Sequence, residues 1–456
     1  MATTYLTRTN GSAPTNTTKA TVSCWVKRGS LANHQGIFGV RNTGNNEINV
    51  QCGFFNTKWY MWYKDGTNDQ FLQDSHHIPR DVHGWYHVVF RFDTTDGTTN
   101  NRMRVYVNGE SLGANFGSVD QPAQNDDIII GTNGLEFSIG RYTFTGGSAQ
   151  YFEGLISHFH YCDGYSYGPE SFGSTDATTG EWKISTAPSV SYGNNGFFVL
   201  KDTNSGTDQS GNGNNLTVGG GTLSHTEDNP DNVFATMNPL GKFGGGDSTP
   251  TMLRGNNTVE LTSLTAVSTI GANKGKFYCE VKVNDYQSGI TLGIVNNHHN
   301  TDAVLGYNSP ASPTWAKCVG YYAGNGNATT TISDGSGFGG YGSSYGAGDI
   351  IGIAMDFTNS KIYFAKNGTW QNSGDPTSGA TGTGSKTMPT LASDEDYFVA
   401  YGNWSASVGK VSFNFGNGVF GTSAIASEGT NASGIGKFEY DVPTGYTALC
   451  TKGLNE

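Results

Sequence analysis

GWYHVVFRF (residues 84–92) and NRMRVYVNGESL (residues 101–112) decide the fold class of this chain. In the first, Tyr86, Val88, Phe90 and Phe92 fall on one side of an extended strand. In the second, Met103, Val105 and Val107 alternate with other residues and run into Asn108-Gly109. Asn and Gly both tolerate the positive φ of a two-residue turn, so the pair predicts a β-hairpin.

The same period of two recurs outward from there. ATVSCWVK (20–27) sets Val22, Cys24 and Val26 against Ser23, Trp25 and Lys27, and SIGRY (138–142), FEGLISHFHY (152–161) and NGFFVLKD (195–202) add strands. A second block alternates through GKFYCEVKV (275–283), GITLGIV (289–295), CVGYYAG (318–324) and KVSFNFG (410–416). GDIIGIAMDFTNSKIYFAKNGTW (348–370) reads as two strands joined at Thr358-Asn359-Ser360, closing on a second Asn-Gly at 367–368. Between the blocks, turn formers dominate residues 202–250, with short apolar islands such as 216–218. The expectation is an all-β chain of two tandem antiparallel β-sandwiches: residues 1–201, a turn-rich connecting segment 202–254, and residues 255–456.

Composition agrees with that reading. Charged residues make up 14% and glycine 66 of 456 residues, against about 25% and about 7% in average chains. Aromatics at 12% supply cores, which argues against disorder. A net charge of −12 with no Lys/Arg cluster argues against nucleic acid or an anionic membrane as partner. No apolar run approaches the ~18 residues of a membrane span, so a soluble chain without membrane insertion is expected. Cys24, Cys52, Cys162, Cys279, Cys318 and Cys450 are scattered singly, and free buried thiols are expected.

On GWYHVVFRFD, MRVYVNG, and SIGR followed by FEGLISHFHYCDG, the first block resembles laminin-G-like, concanavalin A-like jelly-roll domains. In that family acidic residues usually follow the Gly-Leu-Ile; Ser157 and His158 stand there instead. The second block resembles a SPRY domain, on GKFYCEVKV, GFGGYGSSYGAGD, IIGIAMDFTNSKIYFAKNG and KVSFNFG in that order. SFGSTDATTGEWKI, YGNNGFFVLKD, DQSGNGNNLTV, DNPDNVFATMNPL and FEYDVPTGYTALCTKGL are similar to segments of tailed-phage structural proteins that join these two modules. The resemblance implies a bacteriophage virion protein of the tail-fibre or adhesin-like kind. MATTYLTRTNGSAPTNTTKA (1–20) lacks a basic start followed by an apolar core. The expected location is therefore the virion, assembled in host cytoplasm and released by lysis.

Catalytic patterns are missing from the sequence. Concanavalin-type glycanases place carboxylates at alternating strand positions so that two flank the scissile bond, and no strand here reads Glu-x-Asp. Asp126 and Asp127 are adjacent and would point to opposite faces. The glycine-rich stretch 334–348 precedes a strand rather than a helix, so it is no phosphate cradle. The chain is not expected to be an enzyme.

Binding candidates remain. In NTKWYMWYKDGTN (56–68), Tyr60 and Trp62 share one face, and one of the two alternating sets must be core. Loop or loop-edge aromatics in the second block are Trp315, Tyr321, Tyr341, Tyr345 and Trp404, each either a glycan platform or a ring buried under a loop. Calcium is the cofactor to test, at Asp202, Asp208, Asn212 and Asn214, where the alternative is Asx turns alone. His158 and His160, sharing a face with Ile156, have metal-binding spacing or form a polar stripe, while His76, His77, His298 and His299 read as surface residues.

The expected function is non-catalytic receptor binding at the particle surface, with host-surface glycan as ligand and other virion proteins as partners, in a homo-oligomer. The alternatives are a purely structural capsid-decoration or tail-connecting protein with no host ligand and, least favoured, a glycan hydrolase.

Overall fold

The computed structural model describes residues 3–44, 48–65, 69–74, 77–113, 116–144, 146–201, 205–243, 249–297, 304–305, 317–331 and 339–455. Trp315, Asp202, His76, His298, His299 and part of the glycine-rich stretch 334–348 lie outside them. Alternating strands dominate, as the sequence period requires, and the helical elements among the described residues are short 3-10 turns. Two compact units result, Met1–Ser224 and His225–Glu456.

In the first unit, one eight-stranded sheet runs Phe116–Val119, Asp69–Asp74, Lys58–Asp65, Ile48–Phe55, His34–Arg41, Glu136–Ile139, Tyr5–Thr9, Thr217–Gly220. A six-stranded sheet runs Phe197–Val199, Gly154–Asp163, Lys19–Arg28, Tyr86–Asp93, Met103–Val107, Glu110–Ser111. Pairing within both is antiparallel. The inward sets meet in one core that includes Val22, Cys24, Phe38, Val50, Cys52, Trp59, Met61, Phe90 and Phe137.

The Asn-Gly hairpin forms as read. Asn108 and Gly109 adopt φ of 49° and 84°, and Asn108 Oδ1 accepts from the His87 amide at 2.8 Å. The second unit repeats the device: Asn367 and Gly368 have φ of 48° and 77°, and Asn367 Oδ1 accepts from the Ile350 amide at 2.8 Å. Each turn is thus tied back to a neighbouring strand by its own first side chain.

Three features lie beyond the strand-by-strand reading of the sequence. The segment 202–254 is divided between the units rather than forming a separate connection: Thr217–Gly220 pairs with Tyr5–Thr9, while Met237–Phe243 pairs with Leu264–Ala272. The apolar islands Leu216 and Phe234 to Met237 are buried, which explains why the surrounding turn residues do not make a linker. Secondly, the strand Gly154–Asp163 carries a β-bulge. His158 has φ of 47° and the register shifts between Ser157 and His160. Ile156 therefore packs on the core with Phe159 and Tyr161, and His160 points to the opposite side. The expected shared face of Ile156 and His160 is lost because one extra residue inverts the alternation. Thirdly, the outward face of the six-stranded sheet is not solvated. Residues from 165 to 200 cover it, burying Val89, Cys162 and Phe172. Trp182 anchors this cover, its indole Nε1 donating to His87 Nδ1 at 3.0 Å.

The second unit pairs a seven-stranded sheet (Met237–Phe243, Leu264–Ala272, Tyr397–Asn403, Ile290–Asn296, Lys317–Tyr322, Asn327–Thr331, Gly339–Gly340) with a second sheet. The main path of the latter is Thr251–Leu253, Thr258–Leu261, Gly409–Asn414, Lys276–Asp285, Ile350–Asp356, Lys361–Lys366, Thr369–Trp370. Its core includes Phe277, Cys279, Val281, Ile294, Ile351, Ile353, Phe413 and Phe415. The outward face of this second sheet is again covered by chain: Phe438, Val442 and Tyr446 pack on Tyr278, Ala354 and Tyr363. All six cysteines are buried thiols without a disulfide.

Under that C-terminal cover lies Glu280, fully buried. Its carboxylate accepts from the amides of Glu439 and Tyr440, both at 2.8 Å, from Asn414 Nδ2 at 3.2 Å and from the Tyr278 hydroxyl at 3.2 Å. Burial pushes its carboxyl up from 4.5 to about 7, and the four donors oppose that rise. The folded state thus holds a proton on Glu280 over a range where the unfolded chain has released it. This contribution to stability is complete below about pH 4.5 and is lost as the pH rises through about 7. In urea unfolding between pH 4.5 and 8, wild type should lose on the order of 3 kcal/mol more than Glu280→Gln; parallel pH profiles would refute the assignment.

Candidate functional site

On the outward face of the eight-stranded sheet, Asn49, Gln51, Tyr60 and Ser138 are buried, while Arg41, Trp62, Lys64 and Glu136 stay partly exposed. Alternation sends Trp59, Met61 and Tyr63 to the core and Tyr60 and Trp62 outward. Register then lays out two rows across neighbouring strands. One is Glu136, Arg41, Asn49 and Lys64; the next is Ser138, Gly39, Gln51 and Trp62. Trp62 is half-buried, so part of its ring is open beside amide and charged side chains.

A wall bounds this floor. The hairpin Arg141–Thr143 and Ala149–Tyr151 crosses over the strand His34–Arg41 because Gly36 and Gly39 have no side chains to hold it off. A Cβ at Gly36 would lie 2.1 Å from the Tyr142 backbone nitrogen, and one at Gly39 would lie 2.9 Å from its Cα. The Thr143 carbonyl accepts from Asn49 Nδ2 at 2.6 Å and from Gln51 Nε2 at 3.2 Å, tying wall to floor. Tyr142 donates to the Phe54 carbonyl at 3.0 Å. Tyr60 is buried beneath Phe55 and Tyr142, with centroids 5.0 and 6.0 Å away, so it supports the floor and is not an open ring. At the rim, Glu136 Oε1 accepts from Arg41 Nε and from an Arg141 guanidinium nitrogen, each at 2.7 Å.

The second-unit candidates separate. Tyr321, Tyr341 and Tyr345 are core residues, which corrects their reading as loop platforms. The alternation of Lys317–Tyr322 turns Tyr321 inward with Val319, and the glycine-rich loop tucks the other two rings against it at 5.7 and 5.0 Å. Tyr345 donates to the Tyr321 carbonyl at 2.7 Å, and the Tyr341 hydroxyl accepts from the Phe364 amide at 3.2 Å. The outward ring is the next residue, Tyr322, which stacks on the half-buried Trp404 at 6.0 Å. Sequence reasoning missed Tyr322 and the exposed Tyr286; the signal for Tyr322 was its position opposite Tyr321 in the alternation.

Of the proposed calcium residues, Asp208, Asn212 and Asn214 are structural anchors, and Asp202 lies outside the described residues. Asp208 Oδ1 accepts from the amides of Phe198 (2.9 Å) and Ser210 (2.8 Å); Oδ2 accepts from Ser210 Oγ and the Asn214 amide, both at 2.9 Å. Asn212 Nδ2 donates to the Gly193 and Gly196 carbonyls, and Asn214 Nδ2 to those of Asn194 and Gly196. Both carboxylate oxygens of Asp208 are thereby engaged by protein donors, and these three residues do not fit a calcium shell. Among the described residues no group of three or more His, Cys, Asp or Glu is placed to hold a metal. His160 Nδ1 is instead bonded to the Tyr192 hydroxyl at 2.9 Å, and burial, with His158 next, pushes its imidazole well below the ordinary value.

A serine and a histidine also meet in the first unit: Ser23 Oγ lies 2.9 Å from His87 Nε2. The indole of Trp182 can only donate, so His87 Nδ1 accepts and Nε2 must carry the proton. His87 then donates to Ser23 and cannot take its proton. Burial, which pushes the imidazole down to about 3, keeps it neutral.

The class defined by this architecture is an all-β protein of two antiparallel sandwich units, one of which has a walled sheet face where Trp62, Arg41, Lys64 and Glu136 are partly exposed. Residues 1–164 match the family model Laminin_G_3, described as the concanavalin A-like lectin/glucanases superfamily. Solved structures similar to parts of the chain include the SPRY domain of human HERC1 (14% identity, 39% of this chain and 96% of that chain, TM-score 0.28). Another is a native heptameric SAP-like pentraxin from Limulus polyphemus (17% identity, 36% and 72%, TM-score 0.26). A third is domain 4 of an extracellular arabinanase from Geobacillus stearothermophilus in complex with arabinotriose (17% identity, 34% and 65%, TM-score 0.25). No curated protein matches the chain.

The wall has a direct test. Gly36→Ala forces a Cβ into the Tyr142 backbone and should cost about 1–3 kcal/mol in chemical unfolding. Gly97→Ala, where a Cβ meets nothing within 4 Å, should stay within about 0.5 kcal/mol of wild type. Equal effects at the two positions would remove the close-approach explanation.

Proposed function

We propose that this chain is a non-catalytic carbohydrate-recognition protein at the surface of a tailed-phage particle, of the adhesin or fibre type. Its ligand would be a host-surface glycan, its partners other virion proteins, and its working form a homo-oligomer. The observation that carries the reading is the half-buried Trp62 ring, one row from the partly exposed Arg41 and Lys64, on a floor whose buried Asn49 and Gln51 amides hold a fixed wall. Sugar CH faces stack on such rings, while amides and charged groups take the hydroxyls.

Binding without cleavage is the better fit to the acid on this face. Glu136 is held by two arginines, an ion-pair arrangement that differs from two carboxylates facing each other across a scissile bond. The virion assignment draws support from the low charge and high glycine content, from the order of segments resembling phage structural proteins, and from the SPRY-like reading of the second unit.

Trp62→Ala should weaken binding on an array of host-surface glycans by about 10-fold, with an unchanged melting temperature. The wild-type protein should release no reducing sugar from bound glycan. Full retention of array binding by Trp62→Ala, or release of reducing ends, would each sink the corresponding half of the reading. Mass spectrometry of purified particles checks the virion assignment: a chain missing from them is not a virion component.

A further inference from the structure

We infer that the second unit holds a separate binding site for a neutral sugar ring, formed by Tyr286, Tyr322 and Trp404. The ligand class rests on the carbohydrate reading above; the place and composition of the site do not.

Two loops and the end of a strand build it. Tyr322 closes the strand Lys317–Tyr322 on the outward side, opposite the core residue Tyr321, and pairs in register with Thr291. Trp404 follows the strand Tyr397–Asn403, and its amide donates to the Gly289 carbonyl at 3.3 Å. That approach requires glycine: a Cβ at 289 would lie 2.5 Å from the Ser405 nitrogen. The contact draws the 286–289 loop and the 404–408 loop together and fixes Trp404 against Tyr322, with centroids 6.0 Å apart and planes 30° off parallel. Tyr286 belongs to the first of these loops and is 40% exposed. A Cβ at Gly346 would touch it at 4.0 Å, and its phenol, after burial, helps to raise that of Tyr322.

An exposed tyrosine next to a partly open aromatic stack is poorly explained by folding alone, because the unit's core is complete without these rings. Polar groups surround the stack. Asn284, Asp285 and Ser288 are exposed around Tyr286, and Ser407 is exposed beyond Trp404. Rings for a CH face and hydroxyl or amide groups at the edge are what a pyranose needs. Charge then narrows the class. Lys366 is paired with Asp349 at 3.1 Å and Lys410 with Glu260 at 2.8 Å, while Asp285 stands exposed beside the loop. An acidic sugar would meet repulsion here, whereas a neutral hexose or N-acetylhexosamine would not.

The test uses the full chain on an array carrying neutral hexose and N-acetylhexosamine oligosaccharides together with sialylated and uronic-acid ones. Tyr286→Ala, at an exposed position, should reduce neutral-glycan binding by about 3- to 10-fold. Tyr286→Ala combined with Trp404→Ala should reduce it further, and adding Trp62→Ala should remove what remains. Circular dichroism and melting curves confirm that each variant is folded, and Tyr286→Ala carries the test alone should Trp404→Ala fail to fold. If Trp62→Ala alone abolishes all binding and Tyr286→Ala changes none, the second site is refuted and the carbohydrate reading stands. If the wild-type chain binds no glycan on the array, both fall. A stronger effect of Tyr286→Ala on acidic than on neutral glycans would overturn the proposed ligand class.

Discussion

A β-strand presents its side chains alternately to two faces, and in a sandwich only one of these can join the central core. The outward set must be solvated, covered by more chain, or left for a partner. This protein divides its outward sets in a consistent way. In the first unit the six-stranded sheet is sealed by residues 165–200, pinned through Trp182 and His87. In the second, the sheet containing Lys276–Asp285 is sealed by the C-terminal segment, pinned through Glu280. The opposite sheets are covered in part as well: Val267, Val295, Cys318 and Ala400 of the seven-stranded sheet are buried with Leu305, so the first candidate site lies on the partly exposed residues of the eight-stranded sheet and the second at one end of the strands of its unit.

The sealing explains where the few charged groups go. Asp163 and Glu280 accept from backbone amides of distant segments, Thr15 and Asn195 for the first and Glu439 and Tyr440 for the second, while Asp208 gathers the nearby amides of Phe198 and Asn214. A carboxylate used this way replaces the ladder bonds that irregular chain cannot make, which matters in a protein whose covers are mostly turns. These acids therefore serve as loop anchors, and a sequence scan for acidic constellations finds them without revealing that use.

Much of the sandwich was legible because alternation is local. Residues 84–92 and 101–112 read correctly down to the Asn108-Gly109 turn, and 275–283 and 410–416 supply inward residues in the expected phase. The failures share one cause, since a shift of a single residue reverses every assignment that follows. The bulge at His158 separated Ile156 from His160, and choosing Tyr321 over Tyr322 selected a core ring instead of an outward one. Covers are illegible for a different reason. Nothing in EWKI announces that Trp182 will lie across Gly109 and against His87, because that contact depends on strands brought together from elsewhere.

Glycine decides what the open faces can become. With 66 glycines the chain has many places where backbone can approach backbone, but the contacts at Gly36, Gly39 and Gly289 serve the candidate sites. Each lets a second segment lie directly on a strand or loop, with no side chain between. A wall or a stacked ring positioned in this way is held through its backbone, by side-chain amides at the Thr143 carbonyl and by the Gly289 carbonyl at Trp404, and loses little freedom when a ligand arrives. For the proposed sugar ligand, which offers few strong contacts per ring, a preformed floor and more than one such floor per chain would be the two means of reaching useful affinity. The same glycine-permitted contacts that close the outward faces therefore also set the rigidity of what is left open.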